Sequence, residues 1–171
     1  MLHRWRSAID NTPVIVSAMS DAREAERLRL RRAAAGLTQR ELAEASGVKQ
    51  PLIAAIERGT RQPTEAVRQS LDRALRVRPS QVLRVARDQV IAVLGAAGGT
   101  DVRVFGSVAN GSDQPGSDLD LVVTFPPGAD IVTLLTLEEK LSDLLTVPVD
   151  LVSTGSSGPV LERALAEAVP L

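Results

Sequence analysis

One polar stretch next to two apolar segments, residues 106–123, constrains this chain more than any other part of it. Its sequence is GSVANGSDQPGSDLDLVV, and it directly follows the short apolar segment VRVF. Because side chains at positions i and i+2 of a strand point to the same face, Asp118 and Asp120 are predicted to project together. Adjacent carboxylates repel each other unless a cation lies between them, and such oxygen ligands suit Mg²⁺. The stretch therefore predicts a metal site.

The beginning of the same stretch predicts a phosphate site. Gly106 has no Cβ, so backbone N–H groups and the Ser107 hydroxyl can approach a phosphate closely. Ser117, which opens the second apolar segment, is a further candidate for nucleotide binding. Together the two halves predict metal-assisted transfer of a phosphate-bearing group. Two alternatives stay open, a polar hairpin with solvated carboxylates and a Ca²⁺ loop that uses Asp113, Asp118 and Asp120.

The Gly-Ser pair followed about a dozen residues later by Asp-x-Asp resembles the nucleotidyltransferase superfamily. More closely, residues 79–171 resemble the minimal nucleotidyltransferases (MNT) that act as antitoxins beside HEPN toxins in prokaryotes. The resemblance implies Mg²⁺ as cofactor, ATP as substrate, and transfer of AMP to a hydroxyl. It also implies a role for Asp150 in VPVDLV, where a third carboxylate helps to hold a second metal ion. The catalytic and metal-binding candidates are thus Asp118, Asp120 and Asp150.

The chain departs from this family in the loop between the two motifs. Family members commonly have Arg or Lys where this chain has Asn110, and an acidic residue where it has Ser112. A cation at that position could contact the triphosphate. Lys140 and Arg163 are the only Arg or Lys residues after Arg103, so either could supply the missing charge.

A second set of signals lies upstream, in GLTQRELAEASGVKQPLIAAIERGTRQPT. Thr38 and Glu41 form a predicted capping box, Ser46 and Gly47 a tight turn, and residues 50–57 a following helix. Two helices joined in this way form a helix-turn-helix, whose second helix enters the major groove of DNA. Residues 24–76 are similar to the XRE/Cro repressor family. The DNA-binding candidates implied by this resemblance are Gln39, Lys49, Gln50, Arg58 and Arg61, with Arg68 as a further phosphate contact.

The predicted recognition helix has few groups for base readout. Pro51, Ala54 and Ala55 occupy positions where related helices have polar side chains, and Ala54 is expected on the outward face with Lys49 and Gln50. Base readout needs hydrogen-bonding groups, so we expect either modest sequence specificity or specificity that depends on dimerisation and paired half-sites. The alternative is a helical module that contacts protein.

Charge is divided unequally between the two halves of the chain. Residues 1–98 contain 17 Arg and Lys and 10 Asp and Glu, a net charge of +7, whereas residues 99–171 contain 3 and 11, a net charge of −8. The basic half is attracted to phosphate backbones. The acidic half suits a metal-bound nucleotide.

The expected fold combines an all-α helix-turn-helix domain with a small α/β nucleotidyltransferase domain that has a short mixed sheet. We predict a tail over residues 1–19, a helix-turn-helix domain over 20–78, whose first helix is capped by Asp21 and Glu24, and a nucleotidyltransferase domain over 79–171. There is no cysteine, and no apolar run is long enough to span a membrane. A cytoplasmic protein is expected.

The two resemblances together imply an antitoxin that adenylylates a partner HEPN toxin and binds its own promoter DNA, as a homo-oligomer or as a hetero-oligomer with the toxin. A non-catalytic regulator is the main alternative, in which the second domain only binds the toxin or dimerises. A third possibility is transfer to a small hydroxylated compound such as an aminoglycoside, which the absence of an added substrate domain disfavours.

Overall fold

The computed structural model describes residues 12–171, except for the side chains of residues 12–20 and of Val160. The N-terminal part is entirely helical and the C-terminal part is a mixed sheet with helices on both faces. The helices are α1 (Thr12–Ala34), α2 (Gln39–Ser46), α3 (Gln50–Glu57), α4 (Glu65–Ala74), α5 (Pro79–Ala96), α6 (Gly106–Ala109), α7 (Ile131–Leu145) and α8 (Pro159–Glu167). The strands are β1 (Thr100–Phe105), β2 (Leu119–Thr124), β3 (Val149–Ser153) and β4 (Val169–Pro170). None of the helices in this described part is both long enough and apolar enough to cross a membrane.

The first helix differs from its prediction. α1 begins at Thr12, so Asp21 lies inside the helix and the predicted capping box at Asp21 and Glu24 is wrong. Both carboxylates instead bind the fourth-helix region, Asp21 to Gln62 and Glu24 to Arg68. The predicted boundary at residue 20 therefore falls within α1, and residues 1–11 of the predicted tail lie outside the described residues.

The helix-turn-helix forms as the capping signals predict. The Thr38 side chain accepts a hydrogen bond from the Glu41 N–H at 3.2 Å, and the Glu41 carboxylate accepts one from the Thr38 N–H at 2.7 Å. Gly47 ends α2 in the left-handed conformation that glycine tolerates best, with φ of 72°. The core of this helical unit consists of Leu28, Leu42, Val48, Ile53, Ile56, Leu71 and Leu75.

The sheet of the C-terminal half has the order β3-β2-β1-β4. β2 pairs with β3 in parallel and with β1 antiparallel, and β1 also pairs antiparallel with β4, so the predicted mixed sheet is confirmed. β4, which the sequence did not predict, joins the chain end to β1. Alternate residues of β2 line the two faces: Leu119, Leu121 and Val123 are buried in the main core, and Val122 packs on the other face with Ala164 of α8.

The two halves of the chain share apolar packing. Ala34 of α1 and Val77 lie in the same buried cluster as Val82, Leu94 and Leu141 of the sheet domain. A cleft of about 520 Å³ opens where the halves meet, between α1 and α4 on one side and the segments before β2 and β3 on the other. This buried cluster contains residues from both sides of position 78. The predicted domain division at residue 78 therefore stays a prediction.

Asp113 ties the central loop to the beginning of α5. Asp113 is only 2% exposed, and its Oδ2 accepts a hydrogen bond from the Ser80 N–H at 2.9 Å. Ser80 lies in the first turn of α5, where backbone N–H groups have no partner within the helix. The loop that precedes β2 therefore caps the helix that begins the sheet domain.

We expect Asp113→Ala to destabilise the protein by about 1 kcal/mol, the usual effect of losing a helix cap. The melting temperature should fall by roughly 2–4 °C. Thermal unfolding followed by circular dichroism measures the change. Asp88→Ala is the matched control, because Asp88 lies on α5, the helix that Asp113 caps, with its side chain 97% exposed. Equal stability of the two variants would contradict the capping role.

Candidate functional site

The parallel register of β2 and β3 brings two of the predicted carboxylates side by side. Asp120 is the direct neighbour of Asp150 across the strand pair. Leu119 and Leu121 point into the main core, so Asp120 projects from the opposite face, which also carries α8. Asp118 lies just before β2, at the position that alternation assigns to the same face. The site is therefore located on the sheet face that α8 covers, at the edge where β1 ends and β2 and β3 begin.

Gly106 lies in close contact with the Asp120 carboxylate. Its φ is +65°, and a Cβ built on it would lie 2.3 Å from Asp120 Oδ2. Phe105, the last residue of β1, pairs with Asp120, and α6 begins at the next residue. Glycine is thus required at this position for two reasons, the positive φ and the close approach of the Asp120 carboxylate. The predicted phosphate turn and the predicted metal ligand are therefore in direct contact.

The surroundings of Asp120 disfavour its ionised form. Partial burial raises the pKa of Asp120, and the neighbouring charges of Asp150 and Asp118 raise that pKa further. Arg163 of α8 acts in the opposite direction and lowers it. A divalent cation between the carboxylates would relieve both the burial cost and the repulsion.

The donor set fits Mg²⁺ in chemistry but is not gathered into a ready-made cage. Among the described side chains, no three His, Cys, Asp or Glu residues converge closely enough to hold a metal ion. Mg²⁺ typically uses one or two protein carboxylates and completes its shell with waters and substrate phosphates. Asp120 with Asp118 or Asp150 matches that need, and the three-carboxylate site stays a prediction.

The loop between the two motifs is held by its own side chains. The Ser117 hydroxyl accepts a hydrogen bond from the Gln114 N–H at 2.9 Å, so this candidate nucleotide ligand also forms a turn. Ser107 is half-buried on α6, beside Gly106. Asn110 Oδ1 accepts hydrogen bonds from the Ser112 hydroxyl at 2.5 Å and from its N–H at 3.1 Å. The two positions that depart from the family pattern therefore contact each other.

The same loop disfavours the alternative of a Ca²⁺ site. Asp113 is buried and directed at the Ser80 N–H of α5, whereas Asp118 is exposed beyond the turn. The carboxylate that such a loop would need is therefore used as a helix cap.

The helix-turn-helix presents two of its predicted DNA contacts as a bonded pair. Gln39 Oε1 accepts a hydrogen bond from Gln50 Nε2 at 2.9 Å, and Gln39 Nε2 donates to Glu57 Oε2 at 2.8 Å. Glu57 is 3% exposed and receives two hydrogen bonds from Arg32, at 2.6 and 3.1 Å. This partly buried pair orients Gln39, which in turn orients Gln50 at the beginning of α3.

The remaining predicted DNA contacts are more dispersed. Lys49 is exposed next to Gln50, whereas Arg58 follows α3 at its other end, beside α1. Arg61 is exposed in the loop after α3. Arg68 is engaged by Glu24 and Glu65. The outward position predicted for Ala54 is wrong, because Ala54 is 8% exposed.

Sequence reasoning missed the Arg32–Glu57 pair. A signal was present, because Glu57 lies four residues after the inward-facing Ile53 and therefore on the buried face of α3. An acidic residue on a buried face needs a partner. The partner, on a separate helix, could not be identified from spacing.

Comparison with known proteins agrees with this arrangement. A helix-turn-helix family model matches residues 28–82, and a nucleotidyltransferase domain model matches residues 88–169. Two Methanocaldococcus jannaschii proteins, each named "Putative protein adenylyltransferase", are 36% and 33% identical to this chain. The matches cover 39% of this chain and 68% of the first relative, and 47% of this chain and 88% of the second.

Two solved structures are also similar to this chain. A structure described as a "putative minimal nucleotidyltransferase" is 41% identical, with coverage of 54% of this chain and 95% of that one and a TM-score of 0.47. A toxin–antitoxin structure with AMP-PNP is 26% identical, with coverage of 48% and 69% and a TM-score of 0.45.

The fold and site define a nucleotidyltransferase domain that follows a helix-turn-helix along the chain. The chain belongs to the nucleotidyltransferase family, as its identity to the two archaeal relatives shows, and it carries an XRE-type helix-turn-helix upstream.

We expect Asp120→Asn to stabilise the metal-free protein at neutral pH. The pKa of Asp120 is raised in the fold, so its stabilising contribution is complete only below the usual aspartate pKa and is lost as pH rises through the folded pKa. The advantage of the variant should therefore shrink as pH falls toward 4, in the usual aspartate range. Thermal unfolding in a chelator across pH measures this, with Asp88→Asn as control. A less stable Asp120→Asn variant at neutral pH would contradict it.

Proposed function

We propose that this protein is a Mg²⁺-dependent adenylyltransferase that transfers AMP from ATP to a hydroxyl of a partner protein. The observation that carries the proposal is the contact of Gly106 with Asp120 together with the pairing of Asp120 with Asp150. These contacts join a turn suited to phosphate to carboxylates suited to a cation. The names of the two archaeal relatives support a protein acceptor.

The proposed roles follow from position. Asp118 and Asp120 would hold Mg²⁺, with Asp150 as the third ligand. Bound Mg²⁺ would supply charge neutralisation for the triphosphate and activation of the acceptor hydroxyl. Gly106 and Ser107 would position the phosphates. The acceptor oxygen forms a bond to the α-phosphorus, the bond from that phosphorus to the oxygen bridging to the β-phosphorus breaks, and pyrophosphate leaves. Asp150 would take the hydroxyl proton.

We propose further that the acceptor is a HEPN toxin and that the protein acts as its antitoxin. The resemblance of residues 79–171 to MNT antitoxins supports this. In a hetero-oligomer, a hydroxyl of the toxin would lie at the edge of the site where Asp118 and Asp150 are both exposed. ATP and promoter DNA would both meet the protein in the cytoplasm.

The helix-turn-helix would bind DNA upstream of the protein's own gene. The Gln39–Gln50 pair and exposed Lys49 lie together at the beginnings of α2 and α3, which is the end that approaches the major groove in this motif. The excess of positive charge in residues 1–98 would add salt-dependent attraction to phosphates. Only a few groups on α3 can read bases, so specificity would depend on paired half-sites in a dimer.

A second candidate function is non-catalytic regulation, in which the sheet domain only binds the toxin or dimerises. The observation that favours it is the Asn110–Ser112 hydrogen bond, which replaces a cation in the loop with a neutral pair. Such a site would bind a triphosphate weakly.

Incubation with Mg-ATP and the protein encoded by the adjacent gene should add the mass of AMP to that partner. Intact-mass spectrometry measures the product. Asp118→Ala should abolish the addition, because the metal and triphosphate would lose a ligand, whereas Asp88→Ala, on exposed α5 surface, should not. Neutralisation of the toxin without any mass change would instead support the non-catalytic alternative.

Binding to the upstream promoter should weaken steeply as salt increases. Lys49→Ala and Arg61→Ala should each reduce affinity and lower the salt slope by about one. Gln50→Ala should reduce discrimination between promoter and random DNA with little change in that slope. Fluorescence anisotropy at several salt concentrations measures both quantities. Binding that does not depend on salt, or no binding, would contradict a DNA-binding role.

A further inference from the structure

The candidate site has an excess of negative charge that the stretch around it does not balance. Asp118, Asp120 and Asp150 would lie beside a bound triphosphate, and residues 106–123 contain no Arg or Lys. Divalent cations offset part of this charge, but sites for phosphoryl groups also use Arg or Lys to bind the phosphates. The question is which cation of this chain can reach the site.

Three cations occur in residues 99–171, and two of them are poorly placed. Lys140 lies on α7, which packs through Leu137 and Leu141 against the main core, on the sheet face opposite Asp120. Arg103 projects from the same face as Asp120 but pairs with Val122, two residues farther along β2. Its guanidinium is also held by both carboxylate oxygens of Asp101, at 2.9–3.1 Å.

The third cation, Arg163, lies on the helix that covers the site face. Ala164, the next residue of α8, is fully buried in a cluster with Phe105 and Val122. Phe105 immediately precedes Gly106, and it pairs directly with Asp120. α8 also contacts α6, which begins at Gly106. Packing of Ala164 therefore fixes the backbone of Arg163 above the edge where the phosphates would bind.

The Arg163 side chain is available for such a contact. It is 69% exposed, and its Nε donates to Glu167 Oε1 at 3.2 Å on the helix surface. Exposed pairs of this type are weak. A triphosphate oxygen offers a stronger partner, because guanidinium forms paired, charge-assisted hydrogen bonds with phosphate.

We propose that Arg163 binds the phosphates of the nucleoside triphosphate and thereby replaces the cation that the loop lacks at Asn110. This inference rests on the proposed function. It assigns to α8 a direct part in nucleotide binding, in addition to its packing on the sheet.

Isothermal titration of the full-length protein with Mg-ATP tests the proposal. Arg163→Gln should weaken binding about tenfold or more, in line with the loss of a hydrogen bond to a charged group. Arg163→Lys, which keeps the charge but not the planar fork, should bind with intermediate affinity. In the transfer reaction, KM for ATP should rise more than kcat falls.

Two control variants separate phosphate binding from other effects. Lys140→Gln removes the same charge from the opposite face of the sheet, and Glu167→Gln removes the ion pair of Arg163 while it keeps the guanidinium. Both should bind Mg-ATP as the wild type does. All four variants should fold, because these side chains lie on the surface, and only Arg163→Gln should lose a little thermal stability, because it removes a charge that favours ionised Asp120.

Each outcome has a distinct meaning. If the wild type binds Mg-ATP and Arg163→Gln binds it equally well, this inference is overturned and the proposed function stands. An equal loss in Glu167→Gln would also overturn it, because the ion pair on α8 would then be the cause. If the wild type binds no Mg-ATP, the proposed function fails and the inference fails with it.

Discussion

The parallel pairing of β2 with β3 is the contact on which the candidate site depends. It places Asp120 beside Asp150, although these residues are 30 positions apart in the chain. The neighbouring antiparallel pair places Phe105 opposite Asp120, so that Gly106 meets the Asp120 carboxylate directly. Carboxylates that repel each other are thus held together by backbone hydrogen bonds and by the buried residues that alternate with them. The main core compensates for the unfavourable charge of the site.

The two functions suggested by the chain are physically connected. Ala34 and Val77 are buried with the core of the sheet domain, so α1 and the junction belong to both halves. The loop before β2 caps α5 through Asp113, immediately after the junction. The two halves are therefore joined by packed and hydrogen-bonded residues around the junction. Within the helix-turn-helix, the partly buried Arg32–Glu57 pair holds Gln39, which is hydrogen-bonded to Gln50.

Sequence patterns predicted the local structure well where the signal was itself local. The capping box of Thr38 and Glu41, the turn at Gly47 and the strands on either side of residues 106–118 all depend on neighbours within a few positions. The predicted cap at Asp21 was wrong because α1 continues through it, and partners on distant segments use both carboxylates. Ala54 was misplaced because α3 buries Ala54 as well as Ile53, Ile56 and Glu57, a wider face than the apolar spacing indicated. β4 was missed because two residues give no periodicity.

The sequence by itself determined the families, the metal-suited Asp-x-Asp pair and the glycine turn, because each depends on residue type and short spacing. Only the tertiary structure decided that Asp150 is the direct neighbour of Asp120, that Asp113 caps a helix, and that Arg163 rather than Lys140 shares the face of the site. These relations depend on strand register and on which sheet face each helix covers. Both are set by burial of residues far apart in the chain, which spacing along the sequence does not encode.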